Sequence, residues 1–398
     1  MTEHLKTLIA GQWRDASGRI AHAMGGAGEN DMNPLANTGI AQTATEAAAW
    51  PDCEGEGIEG EGIEGIDAIT YSTDGTPKNW DDTRRFFADW GLKPLADDAE
   101  KQVWETLNGA QVVVRKPDDA TLPPPMEPGP TLREVVWGVK DAETLAKLEK
   151  FVKLADFPRP AYINCYNNSS IKKNAAYSQR VAMTDPHGLR VVFQLSAKRE
   201  TGIQGSPTNP YGNTQRVDAP SPVYERATPV EIGHVVLFSD RVMEAEAFYQ
   251  KLGFVTSDRY PGRGVFMRCS AIGGHHDLFL LQLPNKPTGL NHIAFTVRDI
   301  HEVFGGGLHM SRCGWKTQLG PGRHPISSAY FWYFVNPCGG LIEYNADEDK
   351  LTGNWQARDF EPGPTVFAEW AIDGGLDGNT RRQPNVAESG AFLTEKKP

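Results

Sequence analysis

The sequence has few cysteines, a deficit of positive charge and no long apolar run. Its 5 cysteines show no CxxC spacing, which excludes a disulfide framework and a cysteine-based zinc site and predicts a reducing, cytoplasmic location. With 40 Lys and Arg against 51 Asp and Glu, the net charge is −11, so we expect neither nucleic acid nor a membrane as a partner. No apolar segment approaches the roughly 18–20 residues of a transmembrane helix, and the N terminus lacks the apolar core of a secretory signal.

The overall composition is that of an ordinary globular protein, but the N-terminal segment is unusual. The 398 residues are 39% hydrophobic and 23% charged, and that length predicts two or three domains. Residues 54–65 read EGEGIEGEGIEG, with five glutamates and no basic residue, so residues 1–65 are predicted to be an arm and a solvated Glu/Gly linker. Part of the arm, LIAGQWRDASGR, resembles the opening hairpin of aldehyde dehydrogenases, but nothing later in the chain carries the chemistry of that enzyme.

One order of elements occurs four times along the chain. A strand, a helix and then two or three strands are predicted from starting points near Ile66, Leu132, Ile232 and Leu290. One such unit cannot cover both faces of its own sheet, so the units should pair into curved sheets around a cavity. The sequence therefore predicts an α+β fold of two domains, each made of two paired βαβββ modules that form curved mixed sheets.

The composition between the modules suggests the domain boundaries. Residues 196–229 are rich in Pro, Gly, Asn and Ser and separate the second unit from the third. We predict a non-catalytic domain at 66–197, a linker at 198–229, a catalytic domain at 230–346 and an extension at 347–398. The extension holds Trp355 and Trp370 and should pack over the C-terminal domain before fraying near its end.

Three residues suggest a metal site in the second pair of modules. His234 in IGHVVLF and His292 in LNHIAFTV occupy the same position in successive units, which would place both at the shared cavity. Glu343 follows two aliphatic residues in a core-like strand, where a carboxylate is costly to bury unless it is paired or bound to a metal. Two imidazoles and one carboxylate form the facial triad of non-haem Fe(II) enzymes.

Further polar side chains are predicted near these ligands. If Val335 pairs with Leu341 across the turn, Tyr333 lies opposite Glu343 and its phenol sits beside the metal, although a packed core tyrosine is about as plausible from the residues alone. His275 and His276 precede a strand, and alternation allows at most one of them to enter the cavity. His324 lies in a Gly/Pro loop, where an isolated histidine is more often on the surface.

The segment GRHPISSAYFWYFVNPCGGLIEY resembles the signature of a known family. From Ile66 to about Tyr344, roughly 70% of its length, the chain is similar to two-domain extradiol catechol dioxygenases of the vicinal oxygen chelate superfamily. The resemblance implies that His234, His292 and Glu343 bind Fe(II), a ligand set that Mn(II) also accepts. The corresponding N-terminal positions are predicted at Asp67, Glu134 and Val192, and Val192 cannot bind a metal.

The resemblance also implies roles for the other side chains. His276 would be the acid-base residue beside the metal, while His324 and Tyr333 would hydrogen-bond substrate oxygens and the oxygenated intermediate. Trp332 departs from the family pattern, which has an aliphatic residue or Phe before the tyrosine, and this change is expected to reshape the pocket. Phe266 and Phe279 are further aromatic candidates for an apolar pocket, although core packing is the simpler role for most of these rings.

The predicted function is Fe(II)-dependent extradiol (meta) cleavage of a catechol-type substrate with O2, in a homo-oligomer as is usual for that family. Two alternatives share the architecture: a glyoxalase-like, metal-dependent lyase or isomerase that does not use dioxygen, and a metal-free protein of the bleomycin-resistance type that binds an aromatic ligand. The first has no need of His276, His324 and Tyr333 together. The second has no need of a His/His/Glu set at matched positions.

Overall fold

The computed structural model describes residues 7–9, 12–14, 20–21, 62–154, 180–361 and 364–373. The arm contributes β1 (Thr7–Ile9), β2 (Gln12–Arg14) and β3 (Ile20–Ala21). The first two units contribute β4 (Ile63–Ser72), α1 (Pro77–Trp90), β5 (Lys93–Asp97), β6 (Lys101–Glu105), β7 (Gln111–Arg115), β8 (Thr131–Val139), α2 (Ala142–Leu154), β9 (Arg180–Thr184) and β10 (Arg190–Leu195).

The remaining elements belong to the third and fourth units and to the C-terminal extension. The third unit contains β11 (Glu231–Phe238), α3 (Val242–Lys251), β12 (Val255–Tyr260), β13 (Gly264–Arg268), β14 (Gly273–Gly274) and β15 (Leu278–Leu281). The fourth contains β16 (Gly289–Thr296), α4 (Ile300–Arg312), β17 (Thr317–Arg323), β18 (Tyr330–Val335) and β19 (Leu341–Ala346). The extension adds β20 (Lys350–Leu351), β21 (Arg358–Asp359), α5 (Pro364–Phe367) and β22 (Trp370–Asp373).

Each pair of units forms one mixed sheet. The N-terminal sheet has the order β5-β6-β7-β4-β8-β10-β9, and the C-terminal sheet has the order β21-β12-β13-β15-β11-β16-β19-β18-β17-β22. In both sheets the first strands of the two units are antiparallel neighbours, β4 with β8 and β11 with β16. The predicted α+β fold of curved mixed sheets built from paired modules is therefore confirmed.

Helix α1 joins the two halves through its aromatic face. The Thr76 side chain caps the helix by accepting a hydrogen bond from the Asn79 backbone N–H, and Gly91 ends it in the left-handed conformation at φ 94°. Trp90, at the last turn, stacks on Tyr344 of β19 with ring centroids 3.5 Å apart. The Tyr344 hydroxyl donates to the Trp90 carbonyl at 2.7 Å, so one buried core runs through both halves.

Helix α4 carries three consecutive glycines because other groups approach it closely. A Cβ at Gly307 would overlap the Trp332 indole, and one at Gly306 would overlap the side chains of Ala227 and Tyr344. Trp332 is fully buried against this helix, and its indole N–H donates to the Thr317 hydroxyl at 3.1 Å. The expectation that Trp332 reshapes the pocket is wrong, because strand alternation turns it to the face opposite Tyr333.

Parts of the predicted arm and extension belong to the two large sheets. Ile63 begins strand β4 and is 4% exposed, so the end of the Glu/Gly segment belongs to the N-terminal sheet, and residues 54–61 of that segment lie outside the described residues. The extension adds strands to both edges of the C-terminal sheet: β21 pairs with β12, and β22 pairs with β17. Its last residues, 374–398, lie outside the described part. Among the described residues, no helix is both long and apolar enough to cross a membrane.

Candidate metal centre

Three neighbouring strands carry the predicted ligands to one face of the C-terminal sheet. His234 on β11 lies opposite Ala294 on β16, and Ala294 lies beside Glu343 on β19. His292 is two residues before Ala294, so its side chain projects from the same face of β16. Strand pairing and alternation together therefore bring the three polar side chains to one point on this face of the sheet.

The donor atoms converge with the spacing that a metal requires. The Nε2 atoms of His234 and His292 are 3.2 Å apart and lie 3.2 and 3.0 Å from Oε2 of Glu343. With metal–ligand bonds of about 2.1 Å, ligands at right angles lie about 3.0 Å apart. Oε2 is buried and has no hydrogen-bond partner, which suits an atom that binds a cation. The residues present therefore fit a divalent metal held by a facial triad.

The surroundings keep Glu343 and His234 in the protonation states of metal ligands. Burial opposes ionisation of Glu343, but the two imidazoles beside it outweigh burial and hold its pKa well below the usual range. Burial lowers the pKa of His234 to about 4, so its imidazole is neutral near pH 7. Nδ1 of His292 lies 2.7 Å from Oδ1 of Asn291, a contact that directs Nε2 towards the other two ligands.

Of the two adjacent histidines, only His276 lines the pocket. Its ring centroid is 4.1 Å from that of His234, and its Nδ1 lies 3.1 Å from Oε1 of Glu348. His275 instead points at Asp258, with Nε2 2.7 Å from Oδ2. Sequence reasoning missed Glu348. No pattern in the sequence around Glu348 indicated a role, because this residue lies in a loop after β19 and comes close to His276 only in the folded protein.

Tyr333 lies directly opposite Glu343, so the predicted strand pairing is confirmed. Its hydroxyl is 3.1 Å from Nε2 of His324, while Nδ1 of His324 is 2.7 Å from the carbonyl oxygen of Phe367. A carbonyl can only accept, so Nδ1 carries the proton of the neutral ring and Nε2 accepts from the Tyr333 hydroxyl. Burial lowers the pKa of His324 to about 4, and burial raises the pKa of Tyr333 well above its usual range.

All six predicted site residues line one pocket, and most of its other lining residues are apolar. The polar group comprises His234, His276, His292, His324, Tyr333 and Glu343, together with Asn291 and Ser327. The apolar group contains Val236, Phe266, Phe279, Leu281, Leu283, Ile326, Ala329, Val366 and Phe367, with Tyr260 beside them. Among the aromatic rings named from the sequence, Phe266 and Phe279 line the pocket, and Trp332 does not.

The N-terminal sheet has the same strand register without the ligands. The matching residues are Ala68 for His234, Glu134 for His292 and Val192 for Glu343. The prediction of Asp67 was wrong by one residue. Asp67 corresponds to Gly233, since β4 and β11 carry the same irregularity, between Ile66 and Ala68 and between Ile232 and His234. Its carboxylate accepts from the Ser196 hydroxyl and the Ala197 backbone N–H instead. The described N-terminal residues contain no group of metal donors of their own.

Comparison with known proteins agrees with this architecture. Residues 231–344 match the family model of the Glyoxalase/Bleomycin resistance protein/Dioxygenase superfamily. Over 198 residues the chain is 32% identical to metapyrocatechase 2 of Cupriavidus necator, a match that covers 48% of this chain and 59% of that protein. The chain thus spans less than two thirds of that relative's length.

Solved structures share the fold at low sequence identity. The Mn(II)-bound glyoxalase from Novosphingobium aromaticivorans has a TM-score of 0.60 and 22% identity, covering 79% of this chain and 93% of that one. Homoprotocatechuate 2,3-dioxygenase from Arthrobacter globiformis has a TM-score of 0.59 and 17% identity, covering 85% and 99% of the two chains. Residues 231–344 therefore match the superfamily model, and the chain shares the two-sheet fold of these solved structures.

Proposed function

We propose that the protein is an Fe(II)-dependent extradiol dioxygenase that opens a catechol ring beside its two hydroxyls with O2. One observation carries the proposal. The facial set of His234, His292 and Glu343 shares a pocket with three polar side chains, His276, His324 and Tyr333, which are placed to handle protons. The relative in Cupriavidus necator supports the same class, because it is named a metapyrocatechase.

A facial triad leaves neighbouring coordination positions free for a chelating diol and dioxygen. When bound, Fe(II) would lower the pKa of a catechol hydroxyl and carry electrons between the diol and O2. The protein contributes rigid ligands on three paired strands and an apolar pocket that keeps bulk water from the reacting atoms. Mn(II) fits the same three donors.

His276 is proposed to move the proton of the second hydroxyl. Glu348 accepts a hydrogen bond from Nδ1 at 3.1 Å, so the neutral ring has its lone pair on Nε2. Nε2 can take up a proton from the diol and return it when the ring opens. A histidine suits both steps, because its ordinary pKa lies near the working pH.

His324 and Tyr333 are proposed to hold the oxygen atoms of the substrate. The Phe367 carbonyl fixes the His324 ring, which in turn accepts a hydrogen bond from the Tyr333 hydroxyl. Nε2 of His324 also lies 3.9 Å from Oε1 of Glu343, so both side chains border the metal centre. The hydroxyl has one proton, so it can bind an oxygen atom that gains negative charge during the reaction by turning that proton from His324 to the substrate.

The test is oxygen consumption with a panel of catechols. Protein purified without air and loaded with Fe(II) or Mn(II) should consume one O2 per catechol and form a yellow ring-opened product containing both oxygen atoms of labelled O2. A glyoxalase-like enzyme would instead isomerise a hemithioacetal without consuming O2. A binding protein would retain the catechol unchanged and hold no stoichiometric metal. Either result would contradict the proposal.

A further inference from the structure

Beside the metal centre, the pocket contains a distinct apolar subsite. Tyr260, Phe266 and Ile326 form its buried core, and Phe279, Phe360 and Val366 pack against them. The rings of Phe266 and Phe279 stack with centroids 3.9 Å apart and planes 4° from parallel. Phe266 also lies 5.2 Å from the His276 ring, so the subsite adjoins the proposed acid-base residue. A substituent on a bound diol would meet these apolar side chains.

The described residues that line the pocket include no lysine or arginine. Arginines on bordering segments are already paired: Arg358 lies 2.7 Å from Asp258, and Arg323 forms an ion pair with Glu369. Burial raises the pKa of Tyr260, whose phenol therefore stays neutral. A carboxylate in the subsite would lose its water without meeting a cation, which is strongly unfavourable.

The C-terminal extension supplies part of this subsite. Val366 on α5 lines the pocket, and Phe360 follows β21, where its backbone N–H donates to the Arg259 carbonyl at 2.9 Å. The next residue of α5, Phe367, fixes His324 through its carbonyl. These residues lie beyond the segment that matches the family model, which ends at residue 344. The extension therefore contributes both to the apolar wall and to the orientation of a polar side chain.

We propose that the C-terminal extension completes a subsite that selects catechols with an uncharged alkyl or aryl substituent and rejects carboxylated ones. Val366 lines this subsite, and Phe360 packs against the same apolar cluster. This inference rests on the proposed function and adds the substrate class. The wall of stacked rings suits a flat or branched apolar group, because burial of such a group releases water from apolar surface on both partners.

The experiment compares substrates of equal size and different charge. Catechols with an isopropyl group at ring position three or four are paired with their carboxylate counterparts, using the Fe(II)-loaded full chain. For at least one ring position, kcat/KM should favour the isopropyl compound by about 100-fold or more, because an unpaired carboxylate is costly to bury. Dissociation constants measured without oxygen should show the same order, which makes binding a second readout that does not require turnover.

A charge placed on the wall should reverse the preference. In V366K the ammonium gives a carboxylate its missing partner, so the ratio of the two kcat/KM values should shift by about 100-fold towards the carboxylated substrate. V366A, which only removes two methyl groups, should weaken the isopropyl substrate by about 10-fold. V223K is the matched control, because Val223 is 67% exposed in the linker, and it should leave the ratio unchanged. Iron content and thermal unfolding establish that each variant is folded.

The outcomes separate this inference from the proposed function. If carboxylated catechols are bound and cleaved as well as apolar ones, the substrate class is overturned while ring cleavage stands. If apolar catechols bind with the expected preference and none is cleaved, the ring-cleavage proposal fails and the subsite stands. If neither class binds, both are overturned. An unchanged ratio in folded V366K would remove the role assigned to the extension.

Discussion

The two sheets of this protein place different chemistry at matching positions of one strand register. At the central pair of strands the C-terminal sheet has His234 and His292 where the N-terminal sheet has Ala68 and Glu134. Each sheet also buries a glutamate. Glu134 lies 3.1 Å from Arg190, whereas Glu343 lies beside two imidazoles. Only the second arrangement brings together donors that suit a transition metal.

The difference shows that the paired-module fold tolerates a buried carboxylate in two ways. For Glu134, burial outweighs the attraction of Arg190 and raises the pKa of the carboxyl. For Glu343, burial is outweighed by the two histidines, and the pKa is lowered. One site is therefore a structural ion pair, and the other is a carboxylate whose unpartnered oxygen faces the Nε2 atoms of two histidines. Four experiments test this contrast.

The largest effect is expected for E343Q. The amide keeps the shape of the side chain but removes the negative charge that binds the cation. Iron should no longer be retained through gel filtration. The rate of ring cleavage should fall by more than about 100-fold, the loss that is typical when a residue that only orients a metal ligand is replaced. The matched control, E134Q, should keep one iron per chain by elemental analysis. Loss of iron from E134Q as well would show that the N-terminal site is not merely structural.

H276Q should separate proton transfer from metal binding. The proposed acid-base function is lost while all three ligands remain, so iron content should be unchanged and kcat should fall by about 100- to 10,000-fold. H187Q replaces a buried histidine at the border between the halves and should leave kcat unchanged. A fully active H276Q variant would contradict the role proposed for this side chain.

The metal-free protein should lose stability in acid through its C-terminal histidines. His234 and His324 have folded pKa values of about 4 because of burial, against 6.5 as the ordinary value. Their contribution is therefore fully present above pH 6.5 and is lost as the pH falls towards 4, because the unfolded chain takes up protons first. Each imidazole contributes up to about 3 kcal/mol to the free energy of unfolding.

Urea unfolding of the chelator-treated protein between pH 4 and 7 tests this linkage. The double variant H234Q/H324Q should show a shallower rise of the unfolding free energy with pH than the parent chain. H301Q is the control, because His301 is partly exposed on α4 and pairs with Asp299 at 3.1 Å. An equal slope in the double variant and the parent would show that other titratable groups cause the pH dependence of the unfolding free energy.

The smallest effect is expected for H187A, which tests a buried polar chain between the two halves. His187 Nε2 lies 2.8 Å from the Ser239 hydroxyl, and Nδ1 lies 3.0 Å from Oδ2 of Asp185. The order of hydrogen-bonded side chains, Asp, His and Ser, matches that of a hydrolytic triad. All three side chains are buried, so the arrangement is structural. H187A should lower the free energy of unfolding by about 1–3 kcal/mol and change neither iron content nor kcat.

Much of the site could be predicted from local sequence because short-range rules decide it. The turn after Val335 sets the register of its hairpin, and that register places Tyr333 opposite Glu343. Repetition of one module placed His234 and His292 at equivalent positions of adjacent strands. The position of Asp67 was wrong although the repeat is regular here: β4 and β11 share one irregularity, and aligning Ile66 with Ile232 puts Ala68, not Asp67, at the position of His234.

Other parts of the site depend on contacts that no local pattern carries. Glu348 meets His276 across 72 positions of sequence, and Phe367 reaches His324 across 43. Strand alternation sets the face that Trp332 takes, but the group that it packs against, Gly307 on a separate helix, cannot be predicted from its own strand. Periodicity describes only neighbours along one element, whereas these contacts depend on how elements from different parts of the chain pack.

The scarcity of cysteine and of long apolar runs argued against a disulfide scaffold and a transmembrane helix. The repeats predicted the paired modules and the two histidines, and a carboxylate in a core-like strand predicted Glu343. Tertiary structure alone decided which side chains hold those donors in place, which residues close the apolar subsite, and that the extension completes the C-terminal sheet. The physical reason is that strand alternation and hairpin register act over a few residues, whereas the pocket forms only when distant segments bury their surfaces together.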